Sequence, residues 1–433
     1  MPPSLQRLHR PLTVVDSTWR LQALLHYFLP FIVKMSSVDF TRHISLQIKS
    51  LKLFGLWFYI PYPMKSWKFW LGVLTRAILG IIMFIIPTGG QIVYLIRLVL
   101  SGKVEIQEIA GIMNLVLTEM LASCRLLDLC LRRELFRELT NQLNSKEFCF
   151  TNRNDILEKA VNISRYLFWI FLFSCSCDVA VHVLVVPGLH KFETLPLKMD
   201  LIFFDVNEAP YFKYICVYQI IYKPTMVVTY IAVQTLPWAT MCFVSSQLDV
   251  LIYNFENMKG LIKATMAERQ CDENEAFKEV FRGCVLHHCS IMRFLKLLQS
   301  TFGGQLTSNL FLNACIICST SVQIFSIESP LKNITEVAWV LAYLSIFICM
   351  LFIDCYFGNT ITVKCAHVPT AVISCPWLKL PKELKRNVVI FIARAQQPVI
   401  ITAAMLVPVS LETFTKVMNW TYKAFAVMNQ MKN

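Results

Sequence analysis

The last stretch of the chain, residues 407–431, has the length of a membrane-spanning helix but carries five polar side chains. They belong to Glu412, Lys416, Asn419, Lys423 and Gln430. On a helical wheel at 100° per residue they fall within an arc of about 60°. A charged side chain near the middle of a bilayer costs at least roughly 2.5–3.5 kcal/mol, so such groups face protein or water. The spacing therefore predicts a helix that lines an aqueous path, which several copies or partners must enclose.

Two residues of this stripe also allow other interpretations. Glu412 follows Pro408 and can stabilise the positive N-terminus of the helix. Lys423 can extend its ammonium group towards the membrane surface. The prediction of an aqueous path therefore rests on the stripe as a whole.

Residue types that could bind a metal or catalyse a reaction are scattered along the sequence. Cys315 and Cys318 form a CxxC pair and residues 287–289 read HHC, but neither has a matching second half. Most of the 16 cysteines lie in apolar runs, where they act as small apolar fillers. No nucleophile, base and metal ligands form a motif. We therefore predict no metal, no cofactor and no enzyme activity. Asp178 and His182, four residues apart, are expected to pair with each other, and a role in ligand binding is the alternative.

The composition is that of an all-α polytopic membrane protein. Hydrophobic residues make up 56% of the chain, charged residues only 16%, and the mean hydropathy is +0.53. A membrane-spanning helix takes about 20 apolar residues. Seven predicted spans lie near residues 69–95, 109–131, 166–186, 214–236, 306–327, 336–357 and 405–428.

The segments outside these spans are more polar. The apolar run 23–33 is too short to cross a membrane and predicts an interfacial or re-entrant piece. Apolar residues recur at steps of three and four on both sides of the polar stretch 268–275, which predicts an amphipathic helical hairpin. The predicted organisation is a cytoplasmic segment 1–68, spans one to four in 69–245, the cytoplasmic hairpin in 246–305, spans five and six in 306–357, a cytoplasmic loop and anchor helix in 358–398, and a pore-lining span in 399–433.

The distribution of charge predicts the orientation. Lys and Arg are several times more frequent in the N-terminal segment and in the second, fourth and sixth connections than on the other side. This places the N-terminus in the cytoplasm and the C-terminus outside. A glycosylation sequon at Asn333 falls in a predicted outer loop. The net charge of +13 mostly reflects this topology, so we expect no nucleic-acid partner. A seven-span receptor coupled to a cytoplasmic partner remains an alternative.

Four motifs occur in order near the end of the chain. They are WLKLP (377–381), ARAQQP (393–398), VSLETF (409–414) and TYKAF (421–425). On these motifs, and more loosely over its whole length, the chain resembles the insect odorant receptor family. A gustatory-receptor-like ligand-gated channel is the alternative within this class. It is less favoured because more residues separate Tyr422 from Gln430 than in that family's terminal motif.

The resemblance implies an odorant-gated, non-selective cation channel in the plasma membrane of sensory neuron dendrites. It implies a heterotetramer with the odorant receptor coreceptor, in which the last helix of each subunit lines the pore. Aligned with the coreceptor, Val427 and Met431 stand where that subunit narrows its pore. Lys416 and Lys423 place positive charge beside a cation path, and the long insertion of the coreceptor is missing. Both departures favour a ligand-specific subunit.

By the same resemblance, the ligand is a small volatile molecule, apolar or oxygenated, bound among the second to sixth spans. A suitable pocket is closed and aromatic, with few polar anchors. The candidate residues are Ile112, Met113, Phe173, Cys177, Val181, Tyr214, Tyr218, Trp339 and Tyr343. Several pairs share a helix face at a spacing of four residues. Ordinary packing within the bundle is the alternative explanation for each residue.

Overall fold

The structure, a computed structural model, is a bundle of long helices. It describes residues 44–57, 65–102, 106–143, 148, 153–189, 195–201, 206, 208, 211–327, 334–397 and 399–432. The apolar run 23–33 and the sequon residue Asn333 lie outside the described residues. The re-entrant piece and the glycosylation site therefore stay predictions.

Helices account for nearly all of the described elements. The helices are α1 (Ser45–Leu53), α2 (Trp67–Leu100), α3 (Ile106–Leu131), α4 (Arg133–Leu143), α5 (Asn154–Val185), α6 (Tyr211–Glu256), α7 (Met258–Arg269), α8 (Glu273–Ser326), α9 (Ile334–Ile373), α10 (Lys382–Ala395) and α11 (Leu411–Lys432). Single π-helical turns lie within α2 at Ile81–Ile85 and at the end of α5 at Val181–Val185. A helical turn at Val186–Leu189 follows α5, and a 3₁₀ turn at Trp377–Lys379 precedes α10.

Six of these helices are long and apolar enough to cross a membrane among the residues that the structure describes. They are α2, α3, α5, α6, α8 and α9. The prediction of an all-α polytopic membrane protein is therefore confirmed. The seventh predicted span corresponds to α11. Its 22 residues reach about 33 Å, the thickness of the hydrocarbon core, but its polar stripe leaves it too polar to count with the six.

Helix α6 is the centre of the bundle. Of its most apolar stretch 94% is buried, against 11% for α2 at the periphery. Helices α3, α5, α8 and α9 all pack against α6. Because it meets neighbours on every side, its apolar residues surround the helix instead of forming one stripe.

Pro237 lies inside α6 without ending it. A proline lacks the N–H that would bond the carbonyl four residues earlier, here the carbonyl of Val233. The side-chain amide of Gln305 in α8 donates to that oxygen over 2.9 Å. The helix continues to Glu256. We expected the span to end near residue 236, but it forms one element with the first part of the predicted hairpin.

The polar stretch 268–275 contains the turn between α7 and α8. Gln270 adopts a positive φ of 51°, and Asp272 caps α8 by accepting from the backbone N–H of Glu275 over 3.0 Å. Arg269 and Glu279 pair across the turn at 2.5 Å. Helix α8 then continues without a break to the end of the fifth span, so the second helix of the predicted hairpin is also part of a membrane helix.

A short hairpin precedes α11. Strands β1 (Thr402–Ala403) and β2 (Val407–Pro408) pair antiparallel, and two turn residues, Ala404 and Met405, have φ of 52° and 59°. The side chain of Gln299 in α8 bonds both the backbone O and the backbone N of Thr402, at 2.6 and 2.9 Å. The last helix begins at Leu411, six residues after the predicted start at 405. The residues before it form the hairpin instead, which bonds to α8 through Gln299.

Candidate functional site

The polar stripe of α11 faces away from its own chain. Glu412 and Lys416 pair at 2.6 Å with side chains 72% and 59% exposed. Asn419, Lys423 and Val427 are exposed as well. The side-chain positions of Gln430 and Met431 lie outside the described part of the chain.

The opposite face of α11 packs on the bundle. Thr413, Val417 and Thr421 are buried on that face, and the ring of Phe414 meets Phe352 of α9 edge-on, with 5.5 Å between ring centroids. Helix α11 therefore buries one face against its own chain and leaves the polar face uncovered. The wheel drawn from the sequence predicts the same division.

The junction before α11 is tightly packed against α9. A Cβ atom added at Gly358 would lie 2.2 Å from the carbonyl oxygen of Val409, a backbone atom. Only a glycine permits this approach. The position of α11 is therefore coupled to that of α9.

A small cavity of about 60 Å³ lies between α3, α5, α6 and α9. Its polar lining consists of Thr118, Cys175, Asp178, Lys223, Tyr230 and Tyr343. A second cavity of about 240 Å³ shares Val179 and Val227 with it and has an almost wholly apolar lining. Leu184 and Pro224, on the lining of this second cavity, are exposed at the bundle surface.

Tyr343 is held by two groups of α3. Its hydroxyl lies 2.5 Å from that of Thr118 and donates to the backbone oxygen of Asn114 over 3.3 Å. The rings of Tyr343 and Phe347 form one wall of the small cavity. Two successive turns of α9 thus present aromatic side chains to this cavity.

Trp339 joins α9 to α5 one turn further along. Its indole N–H donates to Asp178 Oδ1 over 2.7 Å. The ring of His182 stacks on Trp339, with the centroids 3.8 Å apart. The prediction that Asp178 and His182 pair with each other is therefore wrong. Both side chains reach across to α9 because successive turns of α5 face the same neighbour.

The small cavity also exposes one end of a buried ion pair. Lys223 Nζ lies 2.8 Å from Glu119 Oε1, with side chains only 8% and 1% exposed. Gln91 and Tyr222 donate to the same oxygen over 3.1 and 3.2 Å. Thr88 approaches the other oxygen, Oε2, at 3.4 Å. The Glu119 carboxylate is thereby neutralised and hydrogen-bonded, which a buried charge requires.

A second polar cluster lies behind Tyr230. The Arg125 guanidinium lies over the Tyr230 ring at 4.7 Å and donates to Asn309. Asn309 in turn donates to Asp354 Oδ2 over 3.1 Å. The other carboxylate oxygen, Asp354 Oδ1, accepts from the indole N–H of Trp238 over 2.6 Å. Helices α3, α6, α8 and α9 are therefore tied together by charge as well as by packing.

The structure brings together only part of the predicted ligand set. Tyr343 lines the small cavity, and Trp339 holds one of its lining residues. Ile112 is buried, whereas Tyr218 is half-buried, donates to the backbone oxygen of Ile82 and stacks on Tyr222. The remaining predicted residues are exposed on the isolated chain: Met113, Phe173, Cys177, Val181 and Tyr214. In α5 the helix face with Cys175, Asp178 and Val179 points into the bundle. The face predicted from the sequence, with Phe173, Cys177 and Val181, points outward.

A family model described as 7tm Odorant receptor matches residues 105–422. The chain belongs to the 7tm odorant receptor family. This odorant receptor is 22% identical to odorant receptor 46a, isoform B, of Drosophila melanogaster, over 77% of this chain and 85% of that protein. It is also 22% identical to odorant receptor Or2 of Anopheles gambiae, over 89% of this chain and 97% of that protein.

The fold of this odorant receptor is similar to that of the olfactory receptor OR5 from Machilis hrabei. The TM-score is 0.75 at 15% identity, covering 91% of this chain and all of that one. The structure of OR5 in complex with eugenol gives a TM-score of 0.73. The resemblance read from the terminal motifs is therefore confirmed at the level of family and fold.

The sequence did contain a signal for the buried charges of this odorant receptor. Glu119, Arg125, Lys223 and Asp354 each stand inside an apolar span. Ionisable residues within a membrane span usually face the bundle interior and mark functional positions. Aromatic spacing, by contrast, identifies a face of each helix but not the direction in which that face points.

Proposed function

We propose that this odorant receptor is the ligand-specific subunit of an odorant-gated, non-selective cation channel. In this proposal it assembles with the odorant receptor coreceptor into a heterotetramer in the plasma membrane of sensory neuron dendrites. The N-terminus lies in the cytoplasm, the C-terminus lies outside, and α11 of each subunit lines a central pore.

The observation that carries the channel proposal is the exposed polar stripe of α11. The opposite face of α11 already packs on its own chain, so the stripe must meet water or another chain. In lipid each of its charges would cost at least roughly 2.5–3.5 kcal/mol near the bilayer centre. Several α11 helices around a shared aqueous path avoid that cost. Val427 and Met431, which flank the stripe residue Gln430 near the C-terminal end, complete the proposed pore lining.

The ligand we propose is a small volatile molecule held in the two adjoining cavities, the smaller between α3, α5, α6 and α9 and the larger between α5 and α6. Apolar walls with a few fixed polar groups are typical of sites for small ligands. Both cavities are small, so a ligand that displaces side chains here favours one arrangement of these helices over another. Eugenol, the molecule in the OR5 complex, is a molecule of this kind. Tyr343 and Trp339 belong to the proposed site, and the exposed residues predicted from sequence do not.

Whole-cell recording tests the channel proposal. The receptor and the coreceptor are expressed together, with each chain alone as control, and a panel of volatile compounds is applied. We expect a cation current evoked by at least one volatile only where both chains are present. A coreceptor agonist serves as the control for assembly. An agonist current with no volatile response in any panel, or a volatile response from this chain alone, would contradict the proposal.

Substitution in α11 tests the pore assignment. Val427→Ala is expected to change the agonist-evoked conductance, since the side chain is exposed on the same side as the stripe. Val389→Ala is the matched control, because Val389 is 51% exposed against 56% for Val427 but belongs to α10. An unchanged single-channel conductance for both variants would contradict pore lining by α11.

A further inference from the structure

We infer that the two cavities together recognise a volatile alcohol, a neutral molecule with one hydroxyl group on a hydrocarbon body, and that Lys223 and Asp178 bind the hydroxyl. The inference rests on the proposed function, which makes these cavities the odorant site. It adds the chemical class of the ligand and the two residues that select it.

Lys223 offers the hydrogen-bond donor. Its ammonium group lies 2.8 Å from Glu119, and it also lines the small cavity. An ammonium group has three N–H donors, and the bond to Glu119 takes one of them. Because Glu119 anchors the ammonium group from behind, Lys223 can donate forward into the cavity without losing its countercharge.

Asp178 offers the acceptor. Its Oδ1 accepts from the indole of Trp339 over 2.7 Å, which fixes the orientation of the carboxyl group. The other oxygen, Oδ2, has no bonded donor among the residues that the structure describes. A carboxylate oxygen accepts more than one hydrogen bond. Lys223 and Asp178 line the same cavity of about 60 Å³, so one small polar group that enters it can reach both.

A hydroxyl group suits this pair better than other functional groups. Its oxygen accepts from Lys223 and its hydrogen is donated to Asp178, so both charges are satisfied. A carbonyl group accepts from Lys223 but offers no donor to Asp178. A carboxylate meets Asp178 and Glu119 with like charge, and an ammonium group meets Lys223 with like charge. A site built around paired polar groups rejects molecules that leave one of them unbonded.

The hydrocarbon body belongs in the adjoining apolar cavity. That cavity is about 240 Å³ and shares Val179 and Val227 with the polar one. Ser176 supplies the only hydroxyl in its lining, and the other lining residues are apolar. An alcohol with its hydroxyl in the small cavity therefore buries its hydrocarbon part without exposing it to charge.

The test uses compounds that share one carbon skeleton. Hexanol is compared with hexanal, hexane, hexylamine and hexanoic acid, and benzyl alcohol with benzaldehyde and toluene. Currents are recorded from cells that express the receptor with the coreceptor, and the half-maximal concentration is measured for each compound. We expect the alcohol of at least one series to be the most potent member. Hydrogen bonds to charged groups predict a margin on the order of 10-fold or more over the hydrocarbon.

Three variants assign the preference to the two residues. Asp178→Asn leaves the buried ion pair intact and should reduce the preference for alcohol over aldehyde. Lys223→Met alone leaves Glu119 unpaired, so it is combined with Glu119→Gln; this double variant should reduce the preference for alcohol over hydrocarbon. Lys213→Met, at an exposed position of the same helix, should leave both preferences unchanged.

The coreceptor agonist separates failure of this inference from failure of the proposed function. Loss of the agonist current in the unsubstituted pair of chains would contradict the channel proposal itself. An agonist current together with no alcohol response, or with equal potency of alcohol and hydrocarbon, would overturn the assignment of the ligand class. Alcohol preference that survives both Asp178→Asn and the double variant would overturn the assignment of the residues.

Discussion

Lys223 and Glu119 form an ion pair inside the bundle, where bulk water cannot solvate either charge. At 8% and 1% exposure, each side chain depends on the other for compensation. The pair therefore constrains how α3 and α6 can move relative to each other. A ligand group that bonds to Lys223 acts on this constraint directly.

Removing one member of this pair should destabilise the receptor strongly. Glu119→Leu leaves a buried ammonium group without its countercharge, and breaking a buried pair costs about 3–5 kcal/mol. Thermal unfolding of the purified receptor in detergent, with and without the substitution, measures the effect. Glu134→Gln is the control, because the Glu134 side chain is 65% exposed beside Arg137. Equal loss of thermal stability in both variants would contradict the role of burial.

Lys423 should hinder cation flow if α11 lines the pore. Lys416 pairs with Glu412, whereas no ion pair of Lys423 occurs in the described part of the chain. Two unit charges about 4 Å apart interact by about 1 kcal/mol even in water, so a positive charge repels passing cations. We expect Lys423→Gln to raise the single-channel conductance to sodium. Lys382→Gln, on α10, should have no effect, and the same increase in both variants would argue against a pore effect.

At the scale of single elements, α6 depends on a side chain of another helix. Gln305 supplies the donor that Pro237 removes from the carbonyl of Val233. Without it, a buried carbonyl has no partner, at a cost of about 1–3 kcal/mol. The continuity of α6 through the membrane is thus a joint property of α6 and α8.

A double-mutant cycle tests this dependence. Gln305→Leu should lower the unfolding temperature of the receptor. In a Pro237→Ala background, the alanine N–H can bond the Val233 carbonyl, so the same substitution should cost less. Unfolding is followed by tryptophan fluorescence in detergent. Strict additivity of the two substitutions would show that Gln305 does not compensate for Pro237.

Gly358 is the contact through which α9 holds the start of α11. The added methyl group of Gly358→Ala would come within 2.2 Å of a backbone oxygen, so the hairpin before α11 has to move. We expect the variant to reach the membrane with a reduced or altered agonist-evoked current. Gly89→Ala is the matched control, since nothing lies within 4 Å of a Cβ atom there. A normal current from Gly358→Ala would rule out this contact as a determinant of channel function.

At the scale of the whole molecule, the orientation can be tested independently of any current. Basic residues concentrate on the side that holds the N-terminus and the connection between α6 and α8, which predicts that this side faces the cytoplasm. An epitope tag at the C-terminus should bind antibody on intact cells, and a tag at the N-terminus should bind only after permeabilisation. A C-terminal tag that also requires permeabilisation would contradict both the orientation and the pore proposal.

Local patterns in the sequence determined the class of the protein, the positions of its apolar helices and the outward direction of the stripe on α11. These properties follow from hydropathy and from the helical repeat, which act within a few turns of one chain. The terminal motifs determined the family, because each is a short run of residues that can be recognised without the fold.

The tertiary structure alone decided which charges meet and which helix faces enclose the cavities. Lys223 and Glu119 are 104 positions apart, and Asn309 and Arg125 are 184 apart. The periodicity of α5 indicates two faces but not which one points inward, because that depends on the neighbours of the helix. Likewise, the Val233 carbonyl that Pro237 leaves without a backbone donor is bonded by Gln305 from another helix. Contacts between distant segments carry no periodic signal, so only the packing of the helices brings the residues of the site together.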